Sequence, residues 1–217
     1  MLPGRRRWVP AAADRDPLAS GQNCPIMPRM EMRADTAHRR RLLLDAADEV
    51  FCAHGVLAPL ELVVERAGLG RATLYRHFAD RTELMAALLE RGLDGLEGCA
   101  REIGTRPDGL FLLMYDVAEH IAMSAPLADY WRSMPREHPT IAAAHTRAMA
   151  ILLPYLQRAI AAGLCRPDLG EQDLALAMDM LGACQRGSDE AERKALAQRC
   201  CRLLCHALAT PAAAAEL

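Results

Sequence analysis

The residues best suited to bind another molecule lie in the stretch GLGRATLYRHF, residues 68–78. Its guanidinium, hydroxyl and imidazole groups belong to Arg71, Thr73, Tyr75, Arg76 and His77. Groups of these types donate hydrogen bonds to base edges and phosphate oxygens of nucleic acids. Only Leu74 and Phe78, which are four residues apart, share an apolar helix face here. The pattern predicts a two-turn helix that packs through these two residues and turns its polar groups outward.

Neighbouring helices must hold this short helix, because two turns are not stable alone in water. A first helix is predicted to end at His54, and its buried face recurs at helical spacing: Leu43, Ala46, Ala47, Val50, Phe51 and His54. Asp35 or Thr36 can cap the start of this helix, and Gly55 suits its end.

Two further helices complete a recognisable pattern. A second short helix is predicted over residues 59–67, where Gly68 ends it. Asp80 and Glu83 form a capping-box pattern that starts a long fourth helix over residues 81–103. Three helices with a glycine-bearing tight turn before the third are typical of a helix-turn-helix, whose third helix enters the major groove of DNA. A solvated surface helix with ordinary polar residues is the alternative.

The same residues resemble a known family. The stretch ERAGLGRATLYRHFADRTEL, within residues 42–89, is similar almost position for position to the signature of TetR-family transcriptional regulators. The resemblance implies a homodimer that binds a palindromic operator in double-stranded DNA through two recognition helices. It also implies a helical C-terminal domain that binds a small-molecule effector. The expected protein is therefore a repressor that its effector releases from DNA.

The resemblance also assigns individual contacts. By position, the groove and phosphate contacts are Arg71, Ala72, Thr73, Tyr75 and His77, with Arg76 beside them and Arg81 as a further phosphate contact. One departure concerns the start of the second helix, where the family often has a Ser or Thr that touches a phosphate. This chain has APLE at residues 58–61, and Glu61 would repel a phosphate. Arg39, Arg40 and Arg41, at the start of the first helix, can compensate electrostatically.

The composition favours an all-α fold. Of the 217 residues, 52% are hydrophobic but only 4% are aromatic, so the core must consist of Leu, Ala, Val and Met. No run of 18 apolar residues occurs, and no apolar segment follows the basic GRRR near the N-terminus. We therefore expect a cytoplasmic protein without a membrane partner. Residues 1–81 carry a net charge of +3 and the remainder −5, which favours an anionic partner for the front of the chain.

Three parts are predicted along the chain. Residues 1–34 have five prolines and no helical period, which predicts a disordered tail. Residues 35–82 form the helix-turn-helix domain, and residues 83–217 form a connector helix with a ligand-binding and dimerisation domain. An over-extended start is an alternative for the tail, with translation beginning at one of three later methionines: Met27, Met30 or Met32.

Two features of the C-terminal part bear on regulation and assembly. The fourth helix contains Gly92, Gly95 and Gly98, which indicate either a small-residue face for close packing or a bendable connector. The last two helices, EQDLALAMDMLGAC and DEAERKALAQRCCRLLCHALA, have broad apolar faces that suit a four-helix interface with a second copy. The alternative is that both helices complete the chain's own core.

An effector pocket is predicted from chemistry and position alone, with methionine and aromatic walls: Met114, Tyr115, Met123, Trp131, Met149 and Tyr155. Plain core is the alternative for each of them. Cys200, Cys201 and Cys205, with His206 beside them, keep a metal- or redox-sensing regulator open. The sequence has no nucleophile motif, phosphate loop or HExxH stretch, so we expect neither a cofactor nor an enzyme, and a helical enzyme is a minor alternative.

Overall fold

The computed structural model of the protein describes residues 27–182, 187 and 189–215, with side chains described from residue 34 onward except at 125–127 and 129. Its helices are α1 (Met27–His54), α2 (Leu60–Ala67), α3 (Arg71–His77), α4 (Arg81–Ile103), α5 (Gly109–Met123), α6 (Ala125–Ser133), α7 (Pro139–Ala161), α8 (Glu171–Leu181), α9 (Glu190–Leu208) and α10 (Pro211–Ala214). The all-α prediction is confirmed. No helix of the described residues is long and apolar enough to cross a membrane. The helices divide into two compact units, and the division falls between Leu88 and Leu89, within α4.

The first helix is longer than predicted. α1 begins at Met27, so the eight residues before Asp35 are helical and not part of a tail, and neither Asp35 nor Thr36 is an N-cap. Met, Glu, Arg and Ala in this segment favour helix, and Pro28 lies in the first turn, where a missing N–H breaks no helical hydrogen bond. The predicted tail at residues 1–26 lies outside the described residues.

The buried face of α1 follows the predicted spacing with one exception. Five of the six positions are buried: Leu43, Ala46, Ala47, Val50 and Phe51. His54 is exposed, because α1 ends there and the chain turns away. Gly55 adopts φ +80°, and its N–H donates to the carbonyl of Phe51 at 2.9 Å, which closes the helix as predicted.

The segment around the tight turn matches the sequence pattern closely. α2 begins at Leu60, directly after Pro59, and Gly68 ends it with φ +65°. At the start of α4, the N–H of Glu83 donates to the Asp80 carboxylate at 2.9 Å. The Glu83 carboxylate in turn accepts from the N–H of Ala79 at 2.6 Å, so the predicted capping box is present with a partner one residue earlier.

The N-terminal unit holds α3 by its two apolar residues. Leu74 is 1% exposed and Phe78 is 2% exposed, as the spacing predicted. They belong to a buried set to which all four helices contribute, including Phe51, Val63, Leu84 and Met85. The seven-residue α3 is therefore stabilised by tertiary packing and not by its own hydrogen bonds.

The C-terminal unit is built around α5, which packs against α6, α7, α8 and α9. Its core is aliphatic and includes Leu110, Leu113, Met114, Leu152, Leu156 and Leu174. The helix α7 continues through Pro154. A Cβ atom at Gly92 would lie 3.3 Å from Nε2 of His120, whereas one at Gly98 would meet nothing within 4 Å. Close packing therefore explains Gly92 and not Gly98.

Candidate nucleic-acid interface

The helix α3 presents its polar side chains to solvent. Arg71, Ala72, Tyr75 and Arg76 are exposed, and Thr73 and His77 are half-buried. Because Leu74 anchors the opposite side, the exposed groups form one continuous outer surface. Arg76 is directed along its own helix: Nε donates to the carbonyl of Ala72 at 3.1 Å, and Nη2 donates to Oγ1 of Thr73 at 3.2 Å. The surface matches a helix that enters a groove of DNA.

Positive charge gathers at the C-terminal end of α3. The guanidinium carbon of Arg40, on α1, lies 5.1 Å from the centre of the Phe78 ring. Burial lowers the pKa of His77, and the nearby charges of Arg40, Arg76 and Arg39 lower it further. The imidazole is therefore neutral at pH 7 and can donate or accept a hydrogen bond. Arg39 and Arg40 of α1 thus lie near His77, and their predicted part in DNA binding stays a prediction.

Arg71, the first residue of α3, is paired with a carboxylate. Its Nη2 donates to Oε1 of Glu61, the second residue of α2, and 65% of the Arg71 side chain and 52% of the Glu61 side chain are exposed. Ion pairs this exposed contribute little to stability. The pair nevertheless offsets the positive charge at this end of α3. Two other pairs in this unit are Arg39 with Asp35 and Arg66 with Glu49.

Arg81 has a structural role that the sequence did not indicate. Its Nη1 donates to the carbonyl of Val56 and its Nη2 to the carbonyl of Ala58 at 2.6 Å. The guanidinium carbon also lies 5.6 Å from the centre of the Phe51 ring. Arg81 thus binds the loop between α1 and α2, and this geometry does not support the phosphate contact expected for it.

The residues predicted to form an effector pocket are mostly core. Met114, Trp131, Met149 and Tyr155 are buried, and Tyr115 and Met123 are half-buried. The Tyr155 hydroxyl donates to the carbonyl of Ala100. The Trp131 indole N–H is buried without a hydrogen-bond partner. Burial of this kind fits plain core as well as a pocket wall, so the pocket stays a prediction.

A cavity of about 700 Å³ opens beside α7 and α8, away from the predicted pocket residues. It is lined by Arg136, His145, Asp168, Gly170, Glu171, Gln172, Asp173, Ala175, Leu176 and Asp179. Four carboxylates give it an acidic character, and one of them, Asp179, is paired with Arg136. None of the six predicted pocket residues is in this lining.

The cysteines of α9 do not form a metal site. The sulfur atoms of Cys201 and Cys205 are buried and 3.9 Å apart, whereas the Cys200 thiol donates to the carbonyl of Met180 at 3.5 Å. The hydrogen bond with Cys205, together with burial, raises the pKa of Cys201, which disfavours the thiolate that a metal requires. Among the described residues, no three His, Cys, Asp or Glu side chains could hold a metal ion. The metal-sensing alternative is therefore not supported.

One arginine of α7 binds three carboxylates of α4. Arg147 donates to Glu90 at 2.7 Å, to Asp94 at 2.6 Å and to Glu97 at 2.9 Å. The three acidic residues recur at helical spacing, so the sequence could have shown an acidic stripe on α4. It could not have shown which arginine pairs with the stripe.

A polar contact between Cys99 of α4 and Asp116 of α5 is half-buried. Burial raises the pKa of Asp116, although a hydrogen bond from the Cys99 thiol opposes part of this change. Burial and the charge of Asp116 raise the pKa of Cys99 to about 12. The thiol is therefore the donor and the carboxyl the acceptor at pH 7. Sequence reasoning identified neither residue.

Comparisons with known proteins match the segment that contains α3. The sequence model of the family "Bacterial regulatory proteins, tetR family" matches residues 43–88. The HTH-type transcriptional activator FasR of Mycolicibacterium smegmatis is 40% identical over 65 residues, which is 30% of this chain and 30% of FasR. An HTH-type transcriptional regulator of Staphylococcus aureus is 33% identical over 64 residues, 29% of this chain and 35% of the relative. The chain thus matches about a third of the length of these curated relatives.

Solved structures match over most of the chain. The TetR transcription regulatory protein from Mycobacterium vanbaalenii is 26% identical with a TM-score of 0.60, covering 82% of this chain and 99% of that one. SmeT, the repressor of the Stenotrophomonas maltophilia multidrug efflux pump SmeDEF, is 21% identical with a TM-score of 0.57, covering 80% and 92%, and shows the fold alone. Over residues 43–88, the chain is therefore similar to the tetR family of bacterial regulatory proteins, and its fold is similar to that of solved TetR regulators. All four of these proteins are named as regulators of transcription or as a repressor.

Proposed function

We propose that the chain is a cytoplasmic, homodimeric repressor that binds a palindromic operator through α3 and is released by a small molecule. The observation that carries the DNA-binding half is the outer surface of α3. A helix too short to be stable alone is anchored through Leu74 and exposes Arg71, Tyr75 and Arg76. Arg40 adds positive charge at the end of that surface. Groups of this kind bind base edges and phosphates in a major groove.

The exposed apolar residues of the last two long helices support a homodimer. Leu176 and Met180 on α8 are 58% and 49% exposed, and Leu196 and Leu203 on α9 are 37% and 64% exposed. Each pair recurs at helical spacing, four or seven residues apart, so each helix has an unpartnered apolar strip. Because α8 and α9 pack against each other, a second copy could bury both strips in one four-helix interface.

The relatives bear on the sign of regulation, and the C-terminal unit bears on the effector. FasR is named an activator and SmeT a repressor, so the relatives do not agree on the sign. The C-terminal unit is the natural place for an effector, because its aliphatic and methionine-containing core can accept an apolar molecule. Residues of α4 belong to both units, so α4 is the element through which an effector would act on the DNA-binding helices.

Titration of the purified protein onto duplex DNA from directly upstream of its own coding region tests the proposal. We expect binding that weakens steeply with salt, with two chains per duplex. Arg71→Ala should weaken this binding by about 1–3 kcal/mol and leave the dimer intact, as measured by analytical ultracentrifugation. Arg101→Ala, which removes an exposed arginine outside the proposed interface, is the matched control.

Two outcomes would contradict the proposal. An affinity for the upstream duplex that Arg71→Ala leaves unchanged would exclude α3 as the groove-binding helix. Binding with no preference for the upstream duplex over an unrelated duplex of equal length would exclude an operator in that region. The same complex, challenged with a panel of apolar small molecules, should dissociate with at least one of them if the regulator responds to an effector.

A further inference from the structure

The two ends of α3 differ in their electrostatic surroundings. At the C-terminal end, Arg40 and Arg76 act together on His77, and Arg76 is bound only to neutral groups of its own helix in the contacts described above. At the N-terminal end, Arg71 is paired with Glu61. One end of the helix therefore presents positive charge, and the other presents a pair with no net charge.

A neutralised arginine gains little from a phosphate. Attraction to the phosphate oxygens depends on net charge, and the Glu61 carboxylate repels the same oxygens that Arg71 attracts. Binding to a guanine edge depends instead on geometry, because its two acceptors require donors held in a fixed direction. Arg71 has five N–H donors, and the pair with Glu61 uses one on Nη2. The remaining donors stay available for a base edge.

We propose that Glu61 is a specificity-determining residue that positions Arg71 for a base edge and weakens its binding to phosphates. The pair would favour sequences that offer the right acceptors and would penalise all other DNA. Phosphate attraction then comes from the opposite end of α3. The inference rests on the proposed DNA-binding function and assigns a role to a residue that would otherwise only oppose DNA binding.

Glu61→Gln tests this role, because the side chain keeps its shape and loses its charge. A random-sequence duplex library first selects the preferred site of the wild-type protein, and an unrelated duplex of equal length gives the non-specific affinity. We expect Glu61→Gln to raise the non-specific affinity about three- to tenfold and to steepen its salt dependence by roughly one ion. The ratio of specific to non-specific affinity should fall about tenfold.

Matched variants separate positioning from a general charge effect. Glu65→Gln removes another exposed carboxylate from the same helix and should change the specificity ratio much less. In an Arg71→Ala background, Glu61→Gln should no longer alter the base preference of the selected site, because the positioned group is gone. A thermal melt of each variant checks that the change at this exposed pair leaves the fold intact.

Failure of this inference differs from failure of the proposed function. If the wild-type protein selects no sequence from the library, the proposed function is wrong. If it selects a site and Glu61→Gln keeps the same base preference and the same ratio, Glu61 has no part in specificity. If Glu61→Gln lowers the ratio of specific to non-specific affinity by the same factor in the Arg71→Ala background, the carboxylate acts by repulsion alone and the positioning role is overturned.

Discussion

The two compact units differ in how far apart in sequence their characteristic polar residues lie. In the N-terminal unit, the residues that define the interface are close in sequence, exposed and polar, from Arg71 to His77. In the C-terminal unit, the polar contacts join distant residues, such as Arg147 with Glu90. The first unit uses a short helix as a presented surface. The second uses long helices to enclose an aliphatic core.

The comparisons with relatives follow the same division. Sequence likeness to the family is concentrated in residues 43–88, whereas the solved structures match over about four fifths of the chain. A groove of DNA imposes the same donor geometry on every helix that enters it, which limits the side chains of α3. A helical core needs only apolar residues of suitable volume, so its sequence can vary while its fold persists.

The largest effect should follow from removing the anchor of α3. Leu74→Ala should destabilise the N-terminal unit by about 2–5 kcal/mol, because the side chain is fully buried and two turns cannot hold themselves. Hydrogen exchange should show lost protection in α1–α3, with α5 and α9 unchanged. Tyr75→Ala, an exposed change on the same helix, is the control. Protection lost equally in both units would show that they do not unfold separately.

A smaller effect should follow from removing the arginine that binds α4 to α7. Arg147→Ala leaves Glu90, Asp94 and Glu97 without their shared partner, and we expect a loss of about 1–2 kcal/mol in the free energy of unfolding. This loss in the free energy of unfolding should be smaller at about 1 M salt, because screening weakens both the attraction to Arg147 and the repulsion among the carboxylates. Arg136→Ala, which breaks one exposed pair with Asp179, should cost less. If both variants lose the same free energy of unfolding, Arg147 and its three carboxylates contribute no more to stability than a single exposed pair.

Asp116→Asn should stabilise the protein at neutral pH. The pKa of Asp116 is raised in the folded state, so its contribution to stability is full below the unfolded value of 3.8 and is lost as pH rises through the folded value. The amide mimics the neutral carboxyl and can still accept from Cys99. We expect the melting temperature to rise by roughly 2–4 °C at pH 7 and to change little near pH 3. Glu137→Gln, which also removes one negative charge, should not reproduce this pH dependence.

The smallest effect should follow from the thiols of α9. Cys201→Ala with Cys205→Ala should leave zinc binding and the response to mild oxidant unchanged, because both sulfur atoms are buried and the pKa of Cys201 is raised. Zinc titration followed by calorimetry, with Cys200→Ala as control, measures this. Tight zinc binding that disappears in the double variant would restore the sensor alternative.

The sequence predicted the N-terminal unit well because its signals are local. Glycine at residue 68, the Asp80–Glu83 capping pattern and the spacing of Leu74 and Phe78 each act within a few residues of the chain. The start of α1 was missed because helix-forming residues and a tolerated first-turn proline give no clear boundary. The sequence cannot separate the predicted effector residues from plain core, because a methionine in a pocket wall and one in the core have the same helical spacing.

Local spacing and turn chemistry are enough to predict that GLGRATLYRHF is a short helix with an outward polar surface, held by its neighbours. What each charged group binds depends instead on how the helices pack. Arg81 holds a loop, Arg71 meets Glu61, and Arg147 meets three carboxylates on α4. An ion pair depends on the distance between two charged atoms in space, and residues 10 or 53 positions apart are brought together only by the packing of their helices.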